Sequence, residues 1–152
     1  MATWKFRGLD QYVAQLEKLS NHAEGQMKAA VWEGAKVVAD NMKAAINALP
    51  VQDEYVKKGV RRSGITSEEK EGLIAGFGLS KMRTGSAVTT KAGFQGKNAK
   101  GISNAGVARQ ITSGTSWLIK SPGIRNAVSR SKSQAEAAMQ AKLESEIRKM
   151  TL

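Results

Sequence analysis

The stretch NHAEGQMKAAVWEGAKVVADNMKAAINALP, residues 21–50, decides the fold. Met27, Val31, Ala35, Val38, Met42, Ala45, Ile46 and Leu49 recur at the three-to-four spacing of one helical face. Glu24, Lys28, Lys36, Asp40, Lys43 and Asn47 occupy the opposite face. Asn21 and Glu24 form an N-cap pair. Pro50 ends the run by removing a backbone donor and disfavouring helix at Leu49. A helix over 22–49 is about 40 Å long at ~1.5 Å per residue, so one end is expected to project from so small a domain.

Upstream, Leu9, Tyr12, Val13, Leu16 and Leu19 predict a separate short helix over 10–19, with the Asp10 carboxylate favoured in its first turn and Ser20-Asn21 as the break. Downstream, residues 51–65 are charged and aperiodic, including Lys57-Lys58-Gly59 and Arg61-Arg62-Ser63-Gly64, and read as a mobile loop. Thr66-Ser67-Glu68-Glu69 is a capping box that predicts a helix over about 67–75, ending near Gly76 or Gly78. Ser86 to Phe94 alternates like a strand, and 77–82 is a weaker partner joined to it through Met82-Arg83-Thr84-Gly85. Gly96 and Gly101 mark a further loop. Asn104 is expected to cap a helix over 105–111, broken by Gly114. After a loop over Thr115–Lys120, Ser121-Pro122 opens a helix over 122–150, with Ile124, Val128, Ala135, Met139, Leu143, Ile147 and Met150 along one face. The expected fold is α+β in a single domain over 1–152: long N-terminal and C-terminal helices packed on a small antiparallel sheet, with long Gly-rich loops.

The chain has 152 residues, room for one ordinary domain, and its 41% apolar content is rich in alanine with only 5% aromatics. The core is therefore expected to be thin and helped by contacts between copies. There is no cysteine, which excludes disulfides and thiolate metal sites. No apolar run approaches the ~20 residues of a membrane span. The opening Met1-Ala2-Thr3-Trp4-Lys5-Phe6-Arg7 lacks a signal-peptide core. Both imply a soluble product made where it is used.

The net charge of +11 is unevenly distributed. Residues 1–71 carry eleven Lys/Arg against ten Asp/Glu, and 136–152 carry three of each. Residues 72–135 hold Lys81, Arg83, Lys91, Lys97, Lys100, Arg109, Lys120, Arg125, Arg130 and Lys132 and no acid. Such a stretch cannot neutralise itself, so it is expected to meet an anionic partner, an acidic protein surface or nucleic acid. The blander alternative is a solvated face that keeps the protein soluble.

Catalytic chemistry is not legible. The lone His22 falls in the first turn of the long helix and is expected to be exposed. Without cysteine it cannot build a zinc site of recognisable spacing, and it is the only base available to a serine nucleophile. Glu68, Glu69 and Glu71 sit where a helix start favours acids. Asp53-Glu54 could take a hard cation, but neighbouring Lys57 and Lys58 make self-neutralisation the simpler reading. Gly76-Phe77-Gly78 and Gly93-Phe94-Gln95-Gly96 lack phosphate-loop or dinucleotide-loop spacing, and aromatics are too few for a single-strand stacking platform. No enzymatic activity, cofactor or metal is expected. Trp117 stands out after Gly114-Thr115-Ser116 and before Leu118-Ile119. Two readings stand: a loop tucking apolar residues onto its own core, or an anchor pressed into a neighbouring subunit. The second is the working expectation, with Thr115, Ser116, Leu118, Ile119 and Arg125 as its companions.

Taken in order, Gly93-Phe94-Gln95-Gly96, Lys100-Gly101-Ile102-Ser103-Asn104, Val107-Ala108-Arg109, Gly114-Thr115-Ser116 and Ser121-Pro122-Gly123-Ile124-Arg125-Asn126-Ala127-Val128 form a recognisable series. The series resembles the small tail-component family of long-tailed bacteriophages, also called neck, tail-completion or tail-terminator proteins. Phe6-Arg7-Gly8-Leu9-Asp10 before a helix is similar to that family's opening. The resemblance covers almost the whole chain and lies in the order of the segments. The chain departs from the pattern at Thr112-Ser113, where an acid commonly precedes Gly-Thr-Ser, and at Gly123, where a phenylalanine usually follows the proline. Trp117-Leu118-Ile119 replaces a more polar stretch.

The resemblance implies an α+β subunit of a homo-oligomeric ring, commonly of six, at the head–tail junction of the virion. Its partners would be the head-closure or connector protein and the tail-tube protein, met in the host cytoplasm during assembly. Loops 51–65 and 95–104 are expected to reach adjacent rings. Acidic protein neighbours are the expected partners of most cations, Lys81, Arg83, Lys91, Lys97, Lys100 and Arg109 among them, because a strongly basic lumen would slow a passing genome. Contact with DNA in the lumen stays open. The alternative is a nonspecific basic nucleic-acid-binding module.

Overall fold

The computed structural model describes residues 10–151 except 86, with side chains over 22–150. The described elements are α1 (Asp10–Asn47), α2 (Ser67–Gly76), β1 (Phe77–Leu79), β2 (Ala92–Phe94), α3 (Asn104–Ser113) and α4 (Gly123–Thr151). This is the expected α+β arrangement: two long helices and a small antiparallel sheet. The Phe6–Leu9 part of the family-like opening lies outside the described residues.

The expected break at Ser20-Asn21 is absent, and α1 runs unbroken through it over 38 residues. A capping signal only competes with helix continuation, and helix on both sides makes continuation the cheaper outcome because no new nucleus is needed. At about 1.5 Å per residue α1 is roughly 57 Å long. It packs antiparallel against α4, with Asn41 beside Ser131 at one end of the contact and Gln26 donating to Met150 at the other. Gln26 already lies beside Met150, so the turns of α1 before it extend past the described part of α4.

The helix pair keeps most of each stripe read from sequence and corrects single positions. On α1, Ala30, Gly34 and Ala39 are buried, whereas Met27 is exposed. A Cβ on Gly34 would collide with the Met139 side chain, so glycine there sets how closely the helices approach. On α4, Ile124, Ser131 and Ala135 are buried and Val128 is exposed. Ser131, fully enclosed, donates to the Ala127 carbonyl at 2.5 Å and accepts from Asn41 Nδ2 at 2.9 Å. Small and hydroxyl residues define the contact line because close backbone approach excludes larger ones.

The core lies at the other end of the pair. Met42, Ile46 and Leu49 of α1 meet Leu73 of α2, Val107, Ala108 and Ile111 of α3, Ile124 of α4, and Ile65 and Leu118 from loops. The α2 capping box is as expected: Thr66 Oγ1 accepts from the Glu69 amide, and the Glu69 carboxylate accepts from the Thr66 amide. Lys70 supplies what α1 lacks, a cation at its C-terminus, donating to the Asn47 carbonyl at 2.7 Å and the Leu49 carbonyl at 3.2 Å.

The 51–65 segment is tied at its ends. Gln52 donates to the Ile65 carbonyl and Ile65 to that of Pro50. Both Asp53 carboxylate oxygens accept from Ser67, one from its amide and one from its hydroxyl, each at 2.8 Å. These bonds hold the Asp53 carboxyl below its ordinary value of 3.8. The partner of Asp53 is thus the start of α2, where Lys57 and Lys58 had been expected. The loop at 95–104 is compact: Asn98 Oδ1 accepts from the Lys100 and Ile102 amides, and Lys97 bridges Ser103. The α3 cap is Ser103, whose Oγ accepts from the Gly106 amide, while Asn104 is buried and donates to the Gln95 carbonyl at 2.8 Å. Gly76 leaves room for that amide group.

Strands are shorter than the 77–82 and 86–94 expected, three residues each, paired Phe77↔Phe94, Gly78↔Gly93 and Leu79↔Ala92. Phe77 and Phe94 stack tilted with centroids 5.5 Å apart and close the core at the hairpin base. The helix expected from 122 begins at Gly123, and the Ser121 amide instead donates to the Ile111 carbonyl.

Candidate interaction surfaces

Two exposed regions carry the residues singled out in the sequence. The first is the turn after α3. Gly114 takes a positive φ of 76° and ends the helix, its amide donating to the Gln110 carbonyl. Thr115 then organises the turn. Its Oγ1 accepts from the Trp117 and Leu118 amides at 3.3 and 3.0 Å, and its own amide donates to the Leu118 carbonyl at 2.9 Å.

The segment continues as a one-residue parallel bridge with Arg62. The Arg62 amide donates to the Trp117 carbonyl at 2.7 Å, and the Ile119 amide donates to the Arg62 carbonyl at 2.8 Å. Extended backbone alternates its side chains, so Leu118 points one way and its neighbours the other. Leu118 is 4% exposed and belongs to the core, while Trp117 is 54% and Ile119 46% exposed. Leu118 was expected at the interface and is corrected to core. Trp117 and Ile119 form an apolar ledge, and Ser116 beside them is exposed. Arg125 is exposed but belongs to α4. Sequence reasoning missed Arg62, which holds the ledge through its backbone; no side-chain pattern signals such a role.

The second region is the hairpin arm over 77–94. Beyond Leu79↔Ala92 it continues through Ser80, whose amide donates to the Lys91 carbonyl at 2.8 Å, to a bridge between Arg83 and Thr89. From Leu79 to Arg83 is four steps, but from Ala92 to Thr89 only three. The first limb therefore carries one extra residue, a β-bulge within 80–82. Pairing and alternation place Arg83, Thr89 and Lys91 on one face, and all three are exposed. Lys81 is exposed at the bulge. Leu79, Met82, Val88 and Thr90 are half-buried.

The other candidate cations are spread out. Lys97 and Lys100 lie exposed on the 95–103 loop, Lys100 with its Nζ 3.7 Å from Glu68, and Arg109 is exposed on α3. Among the described residues no other ion pair involves a cation of the 72–135 stretch.

Elsewhere, a groove of about 450 Å³ lies between the C-terminal part of α1 and the start of α4, lined by Asn41, Leu49, Ser121 and Arg130 among others. Arg130 is its one titratable group, so it offers no acid–base couple. Among the described residues no three His, Asp or Glu side chains cluster as a metal site. No helix among them is long and apolar enough to cross a membrane. His22 is exposed on α1. The glycine-rich segments at 76–78 and 93–96 are the α2–β1 junction and the end of β2. Comparison with protein-family models, with curated proteins and with solved structures finds no match.

Proposed function

We propose that this chain is a structural subunit of an oligomeric ring at the head–tail junction of a long-tailed bacteriophage, joining head connector to tail tube, with no catalysis or cofactor of its own. The observation that carries this reading is the ledge: a tryptophan and an isoleucine held out on a turn locked by Thr115 and Arg62. Exposed apolar residues on pre-ordered backbone anchor protein interfaces, since little conformational freedom is lost on docking. The order of the Gly-Phe-Gln-Gly, Gly-Thr-Ser and Ser-Pro segments supports the phage assignment by resemblance.

In this reading copies associate through the ledge, and acidic surfaces of the connector and tail-tube proteins meet the cations of the 95–103 loop and α3. Light scattering of the purified chain tests it. A discrete ring, or assembly on mixing with tail-tube protein, both weakened by Trp117→Ala, is expected. A stable monomer unchanged by that mixture overturns it. The second reading, a nonspecific nucleic-acid-binding module, is favoured by the acid-free 72–135 stretch. It requires monomers or dimers that use the whole stretch on DNA, with a steep salt dependence.

A further inference from the structure

The arm has a chemistry different from the rest of the surface. Its core contacts stop at the base, with Phe77, Ala92 and Phe94, and from Ala92 to the Arg83–Thr89 bridge it extends roughly 10 Å at ~3.3 Å per residue. On this outer part Lys81, Arg83, Thr84, Thr89 and Lys91 are exposed, while the larger apolar side chains, Met82 and Val88, are half-buried. The three cations have no ion-pair partner among the described residues.

Several of the described carboxylates are already engaged. Glu24 pairs with Lys28, Glu33 with Lys36, Glu146 with Lys142 and Lys149, and Asp53 and Glu69 accept from Ser67 and Thr66. The short acidic runs Asp53-Glu54 and Glu68-Glu69-Lys70-Glu71 are the segments that could receive the arm of a second copy. Asp53, Glu68 and Glu69 are already engaged, by Ser67, Lys100 and Thr66, and two arms brought together would repel. The arm is therefore better matched to an anion from outside this chain.

We propose that the arm binds the phosphate backbone of double-stranded DNA, lying as a two-stranded ribbon along a groove. Lysine, arginine and threonine without exposed large apolar groups are the set that contacts phosphates. A protein interface would need an apolar anchor of the kind the ledge has and the arm lacks. The B-form major groove, about 12 Å wide, admits a two-stranded ribbon, whereas the A-form groove of duplex RNA is too narrow. Among the described residues the arm exposes no aromatic on which an unpaired base could stack, which disfavours single strands. The inference does not depend on the ring. In a ring whose arms face the lumen they would touch the passing genome; on a monomer they would bind the same duplex.

The test is fluorescence anisotropy with a short B-form duplex, titrated from about 50 to 200 mM salt, with single-stranded DNA, duplex RNA and polyglutamate as further probes. The full chain is compared with Lys81→Ala/Arg83→Ala/Lys91→Ala and with Lys97→Ala/Lys100→Ala/Arg109→Ala. Circular dichroism and light scattering confirm that fold and assembly state are kept, so failure of the ring reading is seen separately. The arm variant is expected to bind duplex DNA on the order of 100-fold more weakly near 0.1 M salt, with the slope of log K against log salt shallower by about 2.7. The loop variant is expected to keep the slope. Equal losses in both variants would mean a diffuse basic surface and overturn the proposal. So would stronger binding to single strands, duplex RNA or polyglutamate, the last pointing to an acidic protein partner.

Discussion

The ledge at 115–119 and the arm at 77–94 are both held out from the body, yet by opposite means. The ledge is short and cross-braced: two backbone hydrogen bonds to Arg62, a threonine hydroxyl accepting two amides, and Leu118 sunk in the core between two exposed neighbours. The arm is longer and rests on the core only at its base; beyond that, among the described residues, its hydrogen bonds run between its own two limbs, with a bulge that resets which residues share a face. Rigid backbone suits an apolar anchor, where precision of fit decides affinity. A ribbon anchored at one end suits charge attraction, which falls off slowly with distance and tolerates imperfect register. The lesson is that exposure alone does not define a surface; what braces it tells which kind of partner it fits.

The contrast within the ledge can be broken most forcefully at Leu118. Leu118→Ala is expected to lower stability by about 2–5 kcal/mol in denaturant unfolding, the usual cost of emptying a buried leucine site. Trp117→Ala, one residue away, is expected to leave stability within about 1 kcal/mol while weakening association between copies by roughly 2 kcal/mol, about 30-fold, in sedimentation or light scattering. Equal effects of the two on folding would mean that Trp117 is a core residue after all. Thr115→Val keeps the shape but leaves two amides without their acceptor, and about 1–2 kcal/mol of stability should be lost.

The arm should respond far less. Lys91→Ala or Arg83→Ala is expected to change stability by no more than about 0.5 kcal/mol, since neither side chain has a partner to lose among the described residues. A larger loss would show that the arm packs on something its exposure hides. The smallest effect concerns Asp53, which ties the loop ahead of Arg62 to α2. Its folded-state pKa lies below the ordinary value of 3.8 because Ser67 donates two hydrogen bonds to the carboxylate. The tie therefore contributes fully above that value and is lost as pH falls through the depressed one. Acid unfolding should begin at higher pH in Ser67→Ala than in the wild type. Identical acid profiles would show that the tie contributes nothing.

Much of this was legible in the residues. The stripe ending at Leu49-Pro50, the Thr66–Glu69 box and the α+β class follow from local rules, periodicity, capping and proline geometry that act within a few residues. The acid-free stretch and the oddity of Trp117 were equally plain. The interruption proposed at Ser20-Asn21 failed because a local capping signal does not by itself stop a helix. Val128 was mistaken for a buried position because the antiparallel contact with α1 selects Ser131, a hydroxyl that a hydropathy stripe passes over.

The sequence by itself determined the long helices, the Thr66–Glu69 cap and the α+β class, and it set where the positive charge gathers, because those depend on neighbours along the chain. Only the tertiary structure decided that Leu118 turns inward while Trp117 and Ile119 turn outward, through an Arg62 backbone more than fifty residues away in sequence. Only it placed Lys70 on the end of α1 and put Arg83 and Lys91 on one face of a bulged ribbon. Such outcomes depend on which backbone happens to lie alongside, and no rule confined to a short window of sequence carries that information.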